Sequence, residues 1–195
     1  DTVLGPNDKP ATGVLASTTP FYADFSSLLG YDPEGAKKLL DEAGWTVGAD
    51  GVREKDGEKL SFLVTYWQSP KETLELLQQQ WRQIGVDLQL KFTSVAEANQ
   101  VNDTTGAKTY DLFYGNCCRF YCYIFGDPDI LRSVLAADSG GNYNQRQPGE
   151  IEEWLAKAAS TTDPPARQEA VDQAQKLLLE GAHAIPLNEL STTIS

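Results

Sequence analysis

Arg119 stands in the stretch Gly115-Asn116-Cys117-Cys118-Arg119-Phe120-Tyr121. A guanidinium is a rigid fork of five donors, so it suits a carboxylate or a phosphate. Two readings follow for Arg119. It could hold an acidic group, or it could pair with one of the many surface carboxylates while Phe120, Tyr121, Tyr123 and Phe125 pack as core. Cys117, Cys118 and Cys122 form an odd cluster, which defines no disulfide framework; one pair could bridge locally, or one thiol could reach a partner. Zinc needs three or four ligands, and the only histidine, His183, is remote in sequence, so no metal is expected. His183 beside Ala184-Ile185-Pro186 reads as a structural residue rather than the base of a Ser or Cys nucleophile. In Asp127-Pro128-Asp129 a carboxylate before proline reads as a helix cap rather than an acid/base group. No G-x-G-x-x-G, no G-x-x-x-x-G-K-[ST] and no C-x-x-C pair occurs, and nothing selects a carboxylate pair for glycoside cleavage. The residues therefore select no reaction and no cofactor.

The charge balance narrows the partners. Lys and Arg number 16 against 28 Asp and Glu, a net charge of −12, which repels nucleic-acid phosphates and an anionic membrane surface. No apolar run approaches the ~20 residues that span a bilayer. With no Met and no signal-like start, the 195 residues are expected to be a processed product or a piece of a longer protein. Asn102-Asp103-Thr104 fits the glycosylation sequon, a frequent chance match that matters only in a eukaryotic secretory host.

These groups must be positioned by a scaffold. Residues 1–30, with Pro6, Pro10 and Pro20 among Gly, Ser and Thr, read as an extended N-terminal arm. Asp32, Pro33 and Gly44 then supply an N-cap, a first-turn proline and a left-handed terminus, and Ala36, Leu39, Leu40 and Ala43 give the enclosed helix one apolar face. Turn signals at Ala49-Asp50-Gly51 and Lys55-Asp56-Gly57 predict a small hairpin. Leu60, Phe62, Val64 and Tyr66 alternate as a strand; Ser69-Pro70 with Glu72 opens a helix carrying Leu74, Leu77, Trp81 and Ile84. Gly85 closes that helix, and Val86, Leu88, Leu90 and Phe92 form the next strand, a βαβ unit whose strands are expected to be parallel. A third strand is expected around Tyr110, Leu112 and Tyr114. Helices follow around Ile151–Ala158 and Ala166–Leu179, joined by Asp163-Pro164-Pro165, and Ala184–Leu187 is a short strand or exit segment. The expected fold is α/β, one domain over residues 1–195 with a mixed sheet and helices on its faces.

The segment Tyr31-Asp32-Pro33-Glu34-Gly35-Ala36-Lys37-Lys38-Leu39-Leu40-Asp41-Glu42-Ala43-Gly44-Trp45 resembles the "YDPEKAKALLAEAGW" block of bacterial extracellular solute-binding proteins of family 5, the oligopeptide, dipeptide and nickel receptors of ABC importers. Further similar blocks follow in the family's order: Asp50-Gly51-Val52-Arg53 to Leu60, Trp81 to Leu88, Tyr110-Asp111-Leu112 with Gly126-Asp127-Pro128-Asp129, and Ala184-Ile185-Pro186-Leu187. The resemblance implies the second, C-terminal lobe of a two-lobed periplasmic-binding-protein-like receptor, a fragment that lacks the first lobe and the lipid anchor. It implies capture of a peptide or similar small solute outside the membrane by hinge closure with that first lobe, and ABC permease subunits as partners. In the family's peptide receptors the strand matching Tyr110–Gly115 ends in a "G-W-x-x-D" turn whose Asp pairs with the peptide α-ammonium. Here Asn116 replaces the Trp and Arg119 the Asp, which reverses the sign of the contact and favours an acidic group. The implied ligand-binding residues are Arg119, Asn116, Cys117 and Tyr121, with Tyr66 and Trp67 at the end of a neighbouring strand, where Trp67 could instead be buried packing. The alternatives are a stand-alone protein or peptide interaction module and, less favoured, a hydrolase.

Overall fold

The computed structural model describes residues 8–67, 71–94, 97, 110–115, 131–132, 136–138 and 147–189. The chain divides into two compact units, Tyr31–Asn116 and the combination of Asp1–Gly30 with Cys117–Ser195.

In the Tyr31–Asn116 unit, α1 (Pro33–Glu42) starts where the Asp32 carboxylate accepts a hydrogen bond from the Gly35 amide at 2.8 Å, and the chain turns away at Gly44 with φ +86°. Leu40 packs on the core of this unit, but Leu39 is 67% exposed, so only part of the expected apolar face docks. Ala36, Leu39 and Leu40 instead form one wall of an open apolar groove of about 310 Å³, opposite Leu60, Phe62, Trp81, Ile84 and Val86. The hairpin follows as β2 (Thr46–Val47), β3 (Arg53–Lys55) and β4 (Glu58–Lys59), an antiparallel sheet in the order β2-β3-β4. Its tight turn is Asp56-Gly57, both at positive φ, the two-residue geometry that matches strand twist.

The sheet that organises this unit has three parallel strands in the order β6-β5-β7: β5 (Ser61–Trp67), β6 (Asp87–Phe92) and β7 (Leu112–Gly115). The βαβ unit read from the alternation is present. β5 and β6 pair from Ser61 opposite Asp87 to Tyr66 opposite Phe92, with α2 (Lys71–Gln83) between them in sequence. β7 pairs with β5 from Val64 opposite Leu112 to Trp67 opposite Gly115. Leu60, Val64, Tyr66, Leu74, Val86 and Leu88 form the buried cluster, and Trp45, Phe62 and Trp81 pack against it. Ser69 and Pro70, expected to cap α2, lie outside the described residues.

One buried charge joins α1, the hairpin and α2. The Arg53 side chain is 4% exposed. Its guanidinium donates from Nε to the Ile84 carbonyl at 2.8 Å, from one terminal nitrogen to the Asp41 carboxylate and the Trp45 carbonyl, and from the other to the Lys37 carbonyl. Arg53 thus satisfies the Ile84 carbonyl at the C-terminal end of α2, where orphan acceptors and the negative end of the dipole coincide, and the Trp45 carbonyl in the segment after α1. Gly85 at φ +86° lies against it: a Cβ there would stand 2.7 Å from Arg53 Cγ.

In the other unit, α3 (Glu150–Ser160) and α4 (Pro164–Glu180) pack side by side through Ile151, Leu155 and Ala158 on one helix and Ala170, Val171, Ala174 and Leu178 on the other. Asp163 caps α4 by accepting from the Ala166 amide at 3.2 Å, with Pro164 in the first turn. Asp163→Ala is expected to cost about 1 kcal/mol in chemical denaturation, and Asp163→Asn much less; equal losses for the two would exclude a capping role. Residues 8–30, expected as an irregular arm, contribute Leu15 to this core, where the Leu15 amide donates to the buried Gln175 Oε1 at 3.0 Å. β1 (Lys9–Pro10) pairs antiparallel with β8 (Asn188–Glu189), just beyond the expected Ala184–Leu187 segment. Among the described residues no helix is long and apolar enough to cross a membrane.

Candidate functional site

In an open sheet of parallel strands, ligands bind outside the carboxyl ends of the strands, where loops diverge and backbone groups point outward. The register fixes which residues occupy that edge. Trp67 ends β5, Phe92 ends β6 and Gly115 ends β7, with Trp67 directly opposite Gly115. Asn116 follows Gly115 directly in the chain, so the two sequence stretches singled out, Tyr66-Trp67 and the one that begins at Asn116, depart from neighbouring strands at the same edge. Asn116, Cys117, Arg119 and Tyr121 themselves lie outside the described residues, as do Gln68, Cys118, Cys122, the aromatics Phe120, Tyr123 and Phe125, Asp127-Pro128-Asp129 and the Asn102 sequon.

Tyr66 is 6% exposed and belongs to the core cluster, its ring meeting Phe92 edge to face at 5.6 Å. What it offers at the edge is its backbone, whose carbonyl accepts from the Thr93 amide at 2.9 Å and so continues the ladder one residue past β6. Phe92 itself stays 66% exposed on this support. On β7, Tyr114 is partly buried and shares a hydrogen bond with Thr73 of α2; desolvation pushes its phenol above the usual range, the Thr73 contact opposing this. The Tyr114 phenol is therefore neutral at physiological pH.

A feature that the sequence reading passed over stands beside this edge. Ser94-Val95-Ala96-Glu97 fits the S-x-x-E capping box. The Ser94 amide and hydroxyl each donate to Glu97 Oε2 at 2.9 Å, the Glu97 amide donates back to Ser94 Oγ at 3.2 Å, and the buried Thr93 hydroxyl reaches the same carboxylate oxygen at 3.3 Å. The Ser94 amide, and after it the Ser94 hydroxyl, hold the Glu97 carboxyl below the ordinary glutamate value. A depressed folded value means that the box contributes fully above the unfolded pKa and is lost as pH falls through the lower, folded one. The Ser94 amide resonance is therefore expected to titrate with a midpoint below the ordinary ~4.3 of glutamate; a midpoint at or above that value would show that the box does not form in solution.

The edge thus presents a neutral phenol, an exposed ring and a carboxylate committed to a backbone turn. Among the described residues no group of three or more His, Cys, Asp or Glu side chains is placed to hold a metal ion.

Residues 1–122 match the family model described as bacterial extracellular solute-binding proteins, family 5 Middle. Protein XP55 of Streptomyces lividans is 27% identical over 187 residues, a match that takes in 92% of this chain and 32% of that protein. The nickel-binding periplasmic protein of Escherichia coli is 46% identical over 95 residues, 46% of this chain and 18% of that protein. The chain spans about a third of the length of the first of these relatives. In fold it is similar to the oligopeptide-binding protein AppA from Bacillus subtilis, solved with a nonapeptide, with a TM-score of 0.73 at 19% identity over 93% of this chain and 36% of that one.

Proposed function

The chain belongs to the bacterial extracellular solute-binding proteins of family 5, and from that premise we propose that its 195 residues form one lobe of a two-lobed receptor that delivers a solute to an ABC importer. The receptor works outside the cytoplasmic membrane, held there by a lipid anchor, and hands its solute to the permease subunits. The mechanism is hinge closure: solute touches both lobes only in the closed state, and that difference in contact shifts the population toward closure. No bond of the solute is made or broken. One observation carries the reading, namely that within a chain of this family Trp67 stands opposite Gly115 at the carboxyl edge of the parallel sheet, so that the stretch from Asn116 to Tyr121 leaves from the edge where such folds hold ligands.

Two relatives indicate the range of solutes. One is named as a nickel-binding protein and the fold neighbour is an oligopeptide-binding one. For this chain the solute is a peptide or a similar small molecule with an acidic group, because the sequence after Gly115 carries Arg119, a fixed positive fork; Asn116, Cys117, Tyr121 and Trp67 are the further candidate residues.

The test is native mass spectrometry of the full-length protein, purified without denaturation, beside Arg119→Ala. Removing one charge-assisted pair is expected to weaken binding of the co-purified acidic solute about 30-fold or more. Equal retention in both proteins would remove Arg119 from the site. Absence of any bound mass in either, after addition of peptide mixtures and nickel–histidine, would turn the reading toward an interaction module.

A further inference from the structure

Phe92 is the last residue of β6, an outer strand of the parallel sheet, and lies at the carboxyl edge. It shares a sheet face with Leu88 and Leu90, and cover fades along that face: Leu88 is buried, Leu90 is partly buried, and Phe92 is exposed. The other phenylalanines among the described residues, Phe21, Phe25, Phe62 and Phe113, are all partly buried. A single exposed apolar side chain is ordinary on a protein surface. What sets Phe92 apart is that it stands where an open parallel sheet holds its ligands.

The ring is also held in place. Tyr66, directly opposite on β5, is buried and meets it edge to face, with the ring centroids 5.6 Å apart and the planes at 74°. Just after the ring, the Thr93 amide donates to the Tyr66 carbonyl at 2.9 Å, and the buried Thr93 hydroxyl and the Ser94 amide both reach the Glu97 carboxylate. With its backbone pinned and Tyr66 behind it, the Phe92 ring is a preorganised apolar surface that loses little freedom when a partner covers it. Charge selects the partner. The face of a ring suits a cation or another ring. Lys91 is exposed beside it and adds to the Ser94 and Thr93 bonds in favouring the charged Glu97 carboxylate, which is itself committed to the Ser94 turn. Lys91 repels a cationic group and that carboxylate is engaged, so an uncharged ring is the better complement. We propose that Phe92 is a specificity-determining residue of the solute site, its exposed ring receiving an aromatic side chain of the solute, so that the receptor favours acidic peptides that carry one. This rests on the solute-binding reading above.

The test is isothermal titration calorimetry of the full-length protein with pairs of acidic tripeptides of equal charge, one member bearing phenylalanine where the other bears glycine, at each position in turn. For at least one position the wild type is expected to bind the phenylalanine member about tenfold more tightly, from burial of the ring and its contact with Phe92. Phe92→Ala should abolish that preference and leave affinity for the glycine peptide unchanged, whereas Phe92→Trp should keep it. A wild type without the preference, or a preference that survives Phe92→Ala, would overturn the proposal. So would an equal loss for both peptides, which would mark a purely structural role. Should Phe92→Ala fail to fold, Phe92→Leu decides by the same ratio of affinities. Tripeptides that fail to bind a wild type that does bind nickel–histidine would overturn the aromatic subsite and leave the solute-binding reading standing. A wild type that binds neither would count against that reading, and the subsite would fall with it.

Discussion

Arg53→Ala is expected to lower the stability of the Tyr31–Asn116 unit by about 3 to 4 kcal/mol, a large share of the 5–15 kcal/mol that holds a typical domain folded. The cost does not come from the ion pair as such, since the partner Asp41 is 66% exposed and its attraction is screened. It comes from the carbonyls of Trp45 and Ile84, which lose their donor, and from the space left where the buried stem ran. Arg53→Lys should recover little, because an ammonium is a single point that cannot serve acceptors on three elements. Trp45 and Trp81, packed against the cluster that Arg53 braces, report the change by fluorescence during urea denaturation. A midpoint within error of the wild type for Arg53→Ala would mean that α1 and the hairpin hold their places without it.

The second large effect is in the other unit. Leu178 is fully buried among Leu15, Leu155, Val171 and Ala174, and Leu178→Ala is expected to cost about 3 to 4 kcal/mol, the transfer of the lost methyls plus the cavity left behind. Leu178→Met, of similar volume, should cost about 1 kcal/mol. The Leu178 carbonyl also accepts from the His183 and Ala184 amides at 2.9 and 3.2 Å, so a shift of this turn is felt where α4 hands over to the segment before β8. If alanine and methionine were equally tolerated in thermal denaturation, the core would not lie where the packing puts it.

Much of the fold was legible because its signals are local. Asp32 and Asp163 each announce a helix start through a carboxylate three residues before the amide that it accepts from, and Gly44 and Gly85 sit where a left-handed residue must end a helix. The alternation of Leu60, Phe62, Val64 and Tyr66, then of Val86, Leu88 and Leu90, gave two strands with a helix between, and the parallel pairing followed from the crossover that separates them. What stayed hidden depends on distant partners. Arg53 carries no local mark of burial, and only the fold brings Lys37, Asp41, Trp45 and Ile84 around it. Leu15 lies in a Pro- and Gly-rich stretch that looks like a loose arm, and its place in the core depends on Gln175, 160 positions away. Leu39 has the helical spacing of a core residue yet stays exposed, since periodicity gives a face and not what covers it. At the candidate site, sequence alone put Trp67 and the stretch after Gly115 at strand ends, and the register added that the two ends are neighbours.

The measurement that bears most directly on the account is small-angle X-ray scattering of the full-length protein, before and after saturation with an acidic peptide mixture and, separately, with nickel–histidine. A receptor that closes on its solute is expected to shrink in radius of gyration with at least one of these, and Arg119→Ala should blunt the change for the acidic solute. A radius that stays constant with every solute offered, in a protein that remains folded, would contradict the proposal that this chain is half of a closing, solute-capturing pair.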